Sequence, residues 1–91
     1  MFIKHFNTLL NSKSIKKIYT SKDAHYGAAI VIEMIADDNP TVVGVPGGLK
    51  VARSVFEELT QAIHEDRDVD LVDMVVNSPM LVQMVRSRKR V

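Results

Sequence analysis

The 91-residue chain contains no cysteine, and aromatic residues make up only 5% of it. Without cysteine there can be no disulfide, no thiolate metal ligand and no thiol nucleophile, and a reducing compartment such as the cytoplasm is favoured. No apolar run approaches the roughly 20 residues of a membrane-spanning helix. These absences exclude a disulfide-stapled secreted domain, a cysteine metal site and a membrane-spanning protein.

The composition is that of a soluble globular protein, with 46% hydrophobic and 25% charged residues. Twelve Lys and Arg stand against eleven Asp and Glu, for a net charge of +1. Such a balance gives no overall bias towards nucleic acid or a membrane surface. The length predicts a single domain, residues 1–91, with a core small enough that a homo-oligomer or a larger assembly would be a natural source of further burial.

The first 22 residues contain five lysines and no acidic residue. This composition resembles an organellar transit peptide, although arginine is absent from it. The favoured interpretation is a surface helix over residues 2–10, which would place Phe2, Phe6 and Leu9 on one face. Import into an organelle therefore stays an alternative to a cytoplasmic location.

Residues 22–37 allow two interpretations, a helix or part of a hairpin. On a helix, Ala28, Val31 and Ile35 share one face over four turns. The alternative is a strand over residues 28–36 that turns at residues 37–40, supported by a β-branched cluster at residues 30–32. The helix is favoured because strict apolar and polar alternation fails in this segment.

The stretch from Thr41 to Lys50 organises the chain. An apolar run at residues 41–45 predicts a buried strand, and Pro46 closes it. A glycine pair then allows backbone conformations that other residues resist, and an amphipathic helix is predicted over residues 49–65. The first amides of such a helix are unpaired, with a lysine beside them. The pattern outlines a site for an anion; its candidate residues are Gly44, Gly47, Gly48 and Lys50.

The carboxyl-terminal third begins with residues 69–76, which suit a strand or a short helix equally. Ser78 and Pro79 predict the start of a final helix, with serine as N-cap. That helix runs into a basic tail, residues 86–91. The tail is either a solvated helix end or a contact for nucleic acid or another anionic partner. Its cations are Arg86, Arg88, Lys89 and Arg90.

A strand at residues 15–20, the helix at 22–37, the strand at 41–45 and the helix at 49–65 together predict an α/β fold. It is a small βαβα unit with a short parallel sheet, plus N- and C-terminal helices. The alternative is an α+β fold with a β-hairpin at residues 28–45. In either case the predicted core comprises Ile18, Val31, Ile35, Val43, Val45, Val51, Val55, Leu59 and Ile63.

Residues 15–70 resemble the amino-terminal portion of the sugar-phosphate isomerase and lactonase group, which includes glucosamine-6-phosphate deaminase and 6-phosphogluconolactonase. The resemblance lies in residues 17–19, residues 24–36 and the run at 42–48. It implies a phosphorylated sugar held by the backbone amides of the glycine turn. Leu49 and Lys50 stand where the family has Ser or Thr hydroxyls, and most of the family's fold lies outside the match.

No catalytic arrangement follows from spacing. His5, His25 and His64 lie far apart without the spacing of metal ligands, and no metal or cofactor is predicted. The family's acidic catalytic stretch matches Asp70 or Asp73 only loosely. Two functions are therefore expected. One is a non-catalytic or degenerate domain that binds an anionic ligand; the other is an oligomeric protein-interaction module. The isolated chain is not expected to be a complete isomerase or lactonase.

Overall fold

The computed structural model describes residues 1–88, apart from the side chains of residues 84, 85, 87 and 88. Both strands and helices are present, as the sequence predicts. The strands are β1 Phe2–His5, β2 Thr8–Asn11, β3 Ile15–Asp23, β4 Gly27–Met34, β5 Thr41–Val45 and β6 Val69–Asp70. The helices are α1 Leu49–His64, α2 Leu71–Val76 and α3 Pro79–Arg88, and one turn of 3-10 helix, Ser12–Ser14, joins β2 to β3.

The larger sheet is antiparallel, with strand order β3-β4-β5. Ile30 of the central strand pairs with Thr20 on one side and with Val43 on the other. A smaller sheet has the order β2-β1-β6, with β6 parallel to β1. β5 is therefore an edge strand, and its outer side has no strand partner among residues 1–88.

The helix predicted over residues 22–37 is wrong, and the hairpin alternative is confirmed. All five residues from Ala28 to Ile32 are buried, because β4 is the central strand of its sheet. Side chains on both faces of β4 are covered, so the strand lacks the polar alternation of a half-exposed one. The predicted parallel βαβα unit is consequently not formed by residues 15–65. β3 and β5 both run antiparallel to β4, and β4 lies between them.

The helix predicted over residues 2–10 is also wrong. That segment is the β1–β2 hairpin, in which Ile3 pairs with Leu10 and His5 pairs with Thr8 across a two-residue loop. Ile3 and Leu10 enter the core, whereas Phe6 remains largely exposed. Pairing in the hairpin provides hydrogen-bond partners for the backbone N–H and C=O groups of this segment, and only the side chains that face the core are buried.

α1 covers one face of the larger sheet, as its periodicity predicts. Val51, Val55 and Leu59, spaced four residues apart, are fully buried against β3 and β4. Among the other predicted core residues, Ile18 and Ile63 are only partly buried. Ile35 is 67% exposed because it lies beyond the end of β4. The core cluster comprises Ile3, Leu10, Ala28, Ile30, Ile32, Val43, Val45, Val51, Ala52, Val55, Leu59, Ala62, Leu71, Met74 and Val75.

Residues 69–76 form both of the elements between which the sequence did not decide, namely β6 followed by α2. Asp70 caps α2, because its Oδ1 accepts a hydrogen bond from the Asp73 amide at 3.2 Å. Ser78 precedes α3 as predicted, but its buried Oγ has no hydrogen-bond partner within the described part of the chain. No helix among residues 1–88 is long and apolar enough to cross a membrane.

Candidate functional site

The glycine turn begins α1 without any side-chain cap. Gly47 and Gly48 have φ angles of 96° and 85°, which residues with a side chain rarely adopt. No acidic side chain lies in the first turn of α1, and no side chain caps it. A Cβ added to Gly48 would meet nothing within 4 Å, so the positive φ and not packing explains the glycine at this position. Lys50 is exposed beside the turn.

Gly44 does not belong to that turn. It lies inside β5, where a Cβ would come within 3.0 Å of three ring carbons of Tyr26. The ring therefore occupies the space of a side chain at this position. Packing against Tyr26 explains this glycine without any ligand.

A groove with a volume of about 380 Å³ runs along the outer edge of β5. Its size lies in the lower part of the range of about 300–1,000 Å³ for ligand sites. Its lining residues come mainly from β5 and α2, with contributions from α3, the β3–β4 turn, and the end of β1 with the β1–β2 loop. Among the residues that the structure describes, no Lys, Arg, Asp or Glu lines the groove. The lining residues are His5, Phe6, Tyr26, Val42, Val43, Gly44, Pro46, Val72, Val75, Val76 and Leu81.

Large apolar side chains are exposed around this groove. Phe6 is 66% exposed, Val76 59%, Tyr26 54% and Val42 52%. These four residues come from four different segments, and all line the same groove. Clustered exposure of this kind marks interaction surfaces, whereas single exposed apolar residues need no explanation.

Phe6 also has an unusual backbone conformation. Its φ angle is 53° in the two-residue loop between His5 and Thr8. Glycine or asparagine usually takes such positions, and a left-handed conformation costs other residues roughly 1–2 kcal/mol. The ring lies 4.8 Å from that of His5, at 54° to it. Phe6 therefore keeps an exposed aromatic ring at the groove although its backbone conformation is unfavourable for a residue with a side chain.

A polar recess adjoins the groove on the far side of Phe6. Lys4, Asp70 and Asp73 line it, and it shares Phe6 and Val72 with the groove. Further round the surface, Asp70 and Asp73 also line a second recess. Its other charged residues are Glu58, Arg67 and Asp68. Carboxylates therefore outnumber cations beside the groove.

The amino group of Met1 links β1 to the end of α1. It donates to Oδ1 of Asp66 at 2.8 Å and to Oγ of Ser12 at 3.2 Å. The hydrogen bond from this amino group, together with its charge, lowers the pKa of the Asp66 carboxyl. Asp66 lies just beyond the helix with a φ of 55°, a conformation that aspartate tolerates.

The other candidate residues are not brought together. His5 lines the groove, His25 lies in the β3–β4 turn and His64 ends α1. Within residues 1–88, no group of three or more His, Asp or Glu is placed to hold a metal ion. Arg86 is exposed on α3. The side chain of Arg88 and the whole of Lys89 and Arg90 lie outside the described residues, so the basic tail is described only in part.

Comparisons with protein-family models, with curated proteins and with solved structures find no match for this chain. The function of this chain is therefore inferred from the geometry of the groove. The sequence did not indicate the groove because five segments that are distant in sequence contribute its lining. The only local signal was Phe6 in a hairpin loop, and that signal required recognising the hairpin first.

Proposed function

We propose that this chain is a protein-interaction module that binds an extended, uncharged, apolar segment of a partner protein. The segment adds to the larger sheet as a strand beside β5. The observation that carries the proposal is that β5, an edge strand with no outer strand partner among residues 1–88, lines a groove to which the described residues contribute no Lys, Arg, Asp or Glu. Edge N–H and C=O groups supply affinity in such strand addition, and side-chain pockets supply selectivity.

β5 lacks the usual protection of an edge strand. Its sequence from Thr41 to Val45 contains no charge and no proline, and its pairing with β4 shows no bulge. Natural edge strands are commonly protected by lysine, proline or a bulge against pairing with another chain. Pro46 follows only after the strand has ended. An unprotected edge beside an apolar groove is therefore suited to a peptide strand.

The shape of the groove favours a single extended segment over a second copy of the chain. Side chains of α2 and of the β1–β2 loop line the groove together with β5, so a strand that approaches the edge also meets these side chains. In a two-fold dimer, both edges would carry these side chains, and the two edges would be held apart. Because the described lining contains no Lys, Arg, Asp or Glu, burying a charged segment against it would leave the charge of that segment unpaired. An uncharged aliphatic segment avoids that penalty.

Phe6 gives independent support for this location. A hairpin loop that served only to reverse the chain would be more stable with glycine at this position. The phenylalanine at this position is instead 66% exposed, and it lines the groove. Strained residues cluster at functional sites, where the strain is retained for the function.

The test is selection of random peptides displayed on phage against the purified chain. Binding of the enriched peptides is then measured by fluorescence anisotropy. Val42→Lys, which puts a charge into the groove, should weaken binding at least about tenfold. Ile35→Lys is the matched control, since Ile35 is also exposed but does not line the groove.

Failure of selection, or equal binding by the parent and Val42→Lys, would reject the proposal. Sedimentation analysis provides a further check. A dimer that Val42→Lys dissociates would assign the groove to a second copy of the chain instead of a partner segment.

A second candidate is a phosphorylated small molecule bound at the glycine turn. The uncapped, acid-free first turn of α1 beside Lys50 favours it, because free amides at a helix N-terminus attract anions. Titration calorimetry with a panel of sugar phosphates tests it. Lys50→Ala should weaken binding without lowering the melting temperature. Identical isotherms for the parent, Lys50→Ala and Gly48→Val would remove this candidate.

A further inference from the structure

The groove has one side on each face of the larger sheet. Successive side chains of a strand point to opposite faces. Val43 is buried in the core on one face of β5, whereas the side chain of Val42 is exposed on the other. Both residues line the groove. The groove therefore reaches around the outer edge of β5 and is bounded differently on the two faces.

The side on the core face is aliphatic. Val43 and Val75 of α2 belong to the core cluster and also line the groove. Leu81 of α3 is partly buried, packs against the same cluster and lines the groove as well. We call these three residues the core side of the groove. A partner side chain that points to this face would contact aliphatic groups from β5 and from both helices.

The side on the opposite face is more open and carries an aromatic ring. A Cβ at Gly44 would overlap the ring of Tyr26, so this ring lies on the face to which Gly44 points. Gly44 and Val42 are two residues apart and share that face. Tyr26 is 54% exposed and Val42 is 52% exposed. We call Tyr26 and Val42 the open side of the groove.

A strand added beside β5 meets the two sides alternately, because its own side chains point in turn to the two faces of the sheet. Resting on the function proposed above, we infer that the partner segment has an apolar period of two. Aliphatic residues occupy two positions separated by one residue, and both side chains enter the core side. The residue between them lies against Tyr26 and accepts any uncharged side chain. The groove therefore recognises the spacing of apolar residues in addition to their number.

The two sides should contribute unequally to affinity. An aliphatic side chain that enters the core side is removed from water, and burial of one such side chain is worth about tenfold or more in affinity. The side chain between the two aliphatic residues stays partly in water beside Tyr26 and Val42. Serine in place of one aliphatic residue should therefore weaken binding about tenfold or more. Serine at the intervening position should weaken it by about threefold at most.

The experiment uses peptides selected by display on the parent chain. A selected peptide is compared with a permuted one, in which the intervening residue is exchanged with one of the two aliphatic residues. The two peptides have the same length and composition, so non-specific hydrophobic binding is the same for both. The permuted peptide should bind about tenfold more weakly in fluorescence anisotropy, because only one of its two adjacent aliphatic side chains faces the core side.

Two variants of the chain show which side of the groove selects which position of the peptide. Leu81→Ala enlarges the core side, and selection on this variant should favour larger side chains at the two aliphatic positions. Tyr26→Ala should leave those positions unchanged and alter the preference only at the residue between them. The reverse result would mean that the two sides are assigned incorrectly. The permuted-peptide comparison uses the parent chain and does not depend on the folding of either variant.

Hydrogen exchange of the β5 backbone amides separates this inference from the proposed function. A bound strand should slow exchange of the β5 amides that do not pair with β4. If no peptide is enriched, or if bound peptide leaves exchange at β5 unchanged, the proposed function fails. If exchange slows but the permuted peptide binds as tightly as the selected one, strand addition stands and the period of two is wrong. Aliphatic positions spaced three or four residues apart would indicate a bound helix and overturn both.

Discussion

The ring of Tyr26 lies over Gly44 and takes the place of the side chain that this residue lacks. Tyr26 lies in the β3–β4 turn, directly before β4, and Gly44 lies in the neighbouring edge strand β5, so the contact joins the turn to the edge strand. The turn is held by Asp23, whose Oδ2 accepts the amides of His25 at 3.0 Å and Tyr26 at 2.9 Å. The contact thereby fixes one rim of the groove.

Gly44→Ala should displace the Tyr26 ring and lower the free energy of unfolding by about 1–3 kcal/mol, as other overpacked substitutions do. The added Cβ would overlap the ring near its attachment point as well as at its edge. Chemical denaturation and near-ultraviolet circular dichroism measure the two effects. In a Tyr26→Ala background the same substitution should cost much less, and equal costs in both backgrounds would contradict the contact.

Phe6→Gly should stabilise the fold and weaken peptide binding. Glycine relieves a strain of roughly 1–2 kcal/mol at the positive φ, though its greater freedom in the unfolded chain offsets part of this gain. Removal of the ring opens the rim of the groove. Thermal denaturation and fluorescence anisotropy report the two changes separately.

Phe6→Ala is the matched control for that experiment. It removes the ring but keeps the strained conformation, so binding should fall without any gain in stability. A Phe6→Gly variant that binds selected peptides as tightly as the parent would show that the ring has no part in recognition.

Val43→Asp should cost several kcal/mol, because it buries a carboxylate without a partner in the core beneath α1. Val42→Asp, one residue earlier on the same strand, is the control. Val42 is 52% exposed on the other face, so its charge can stay hydrated and the cost should be much smaller. Urea denaturation compares them, and equal losses would mean that the two faces of β5 are assigned incorrectly.

Asp66 should stabilise the chain in a pH-dependent way. Its pKa is lowered in the folded state by the Met1 amino group from an ordinary value of 3.8. The contribution of Asp66 to folding stability is therefore fully present above pH 3.8, and it is lost as the pH falls through the lower pKa of the folded state. Asp66→Asn should be less stable than the parent at neutral pH, and the difference should shrink under acid.

Asparagine is a suitable replacement because it also tolerates a positive φ. Denaturation curves at a series of pH values measure the difference, and Asp38→Asn in the β4–β5 turn is the control. A difference between parent and Asp66→Asn that stays constant down to the lowest pH would contradict the assigned cause.

The sequence by itself determined the segment from β5 through α1 and the start of α3. In these places the signals are local: a β-branched run, two glycines at positive φ, a four-residue apolar repeat, and a proline after serine. Each signal acts on the backbone within a few residues of itself, so no distant contact is needed to interpret it.

Tertiary structure decided the rest. Residues 2–10 and β4 have apolar spacings that suit a helix. Pairing with other strands instead supplied hydrogen-bond partners for their backbone groups, and Ile3, Ile30 and Ile32 became completely buried. A central strand covered on both faces loses the alternation by which strands are recognised in sequence. The groove depends on the same long-range pairing, because its walls meet only when the β1–β2 loop and α2 come to face β5.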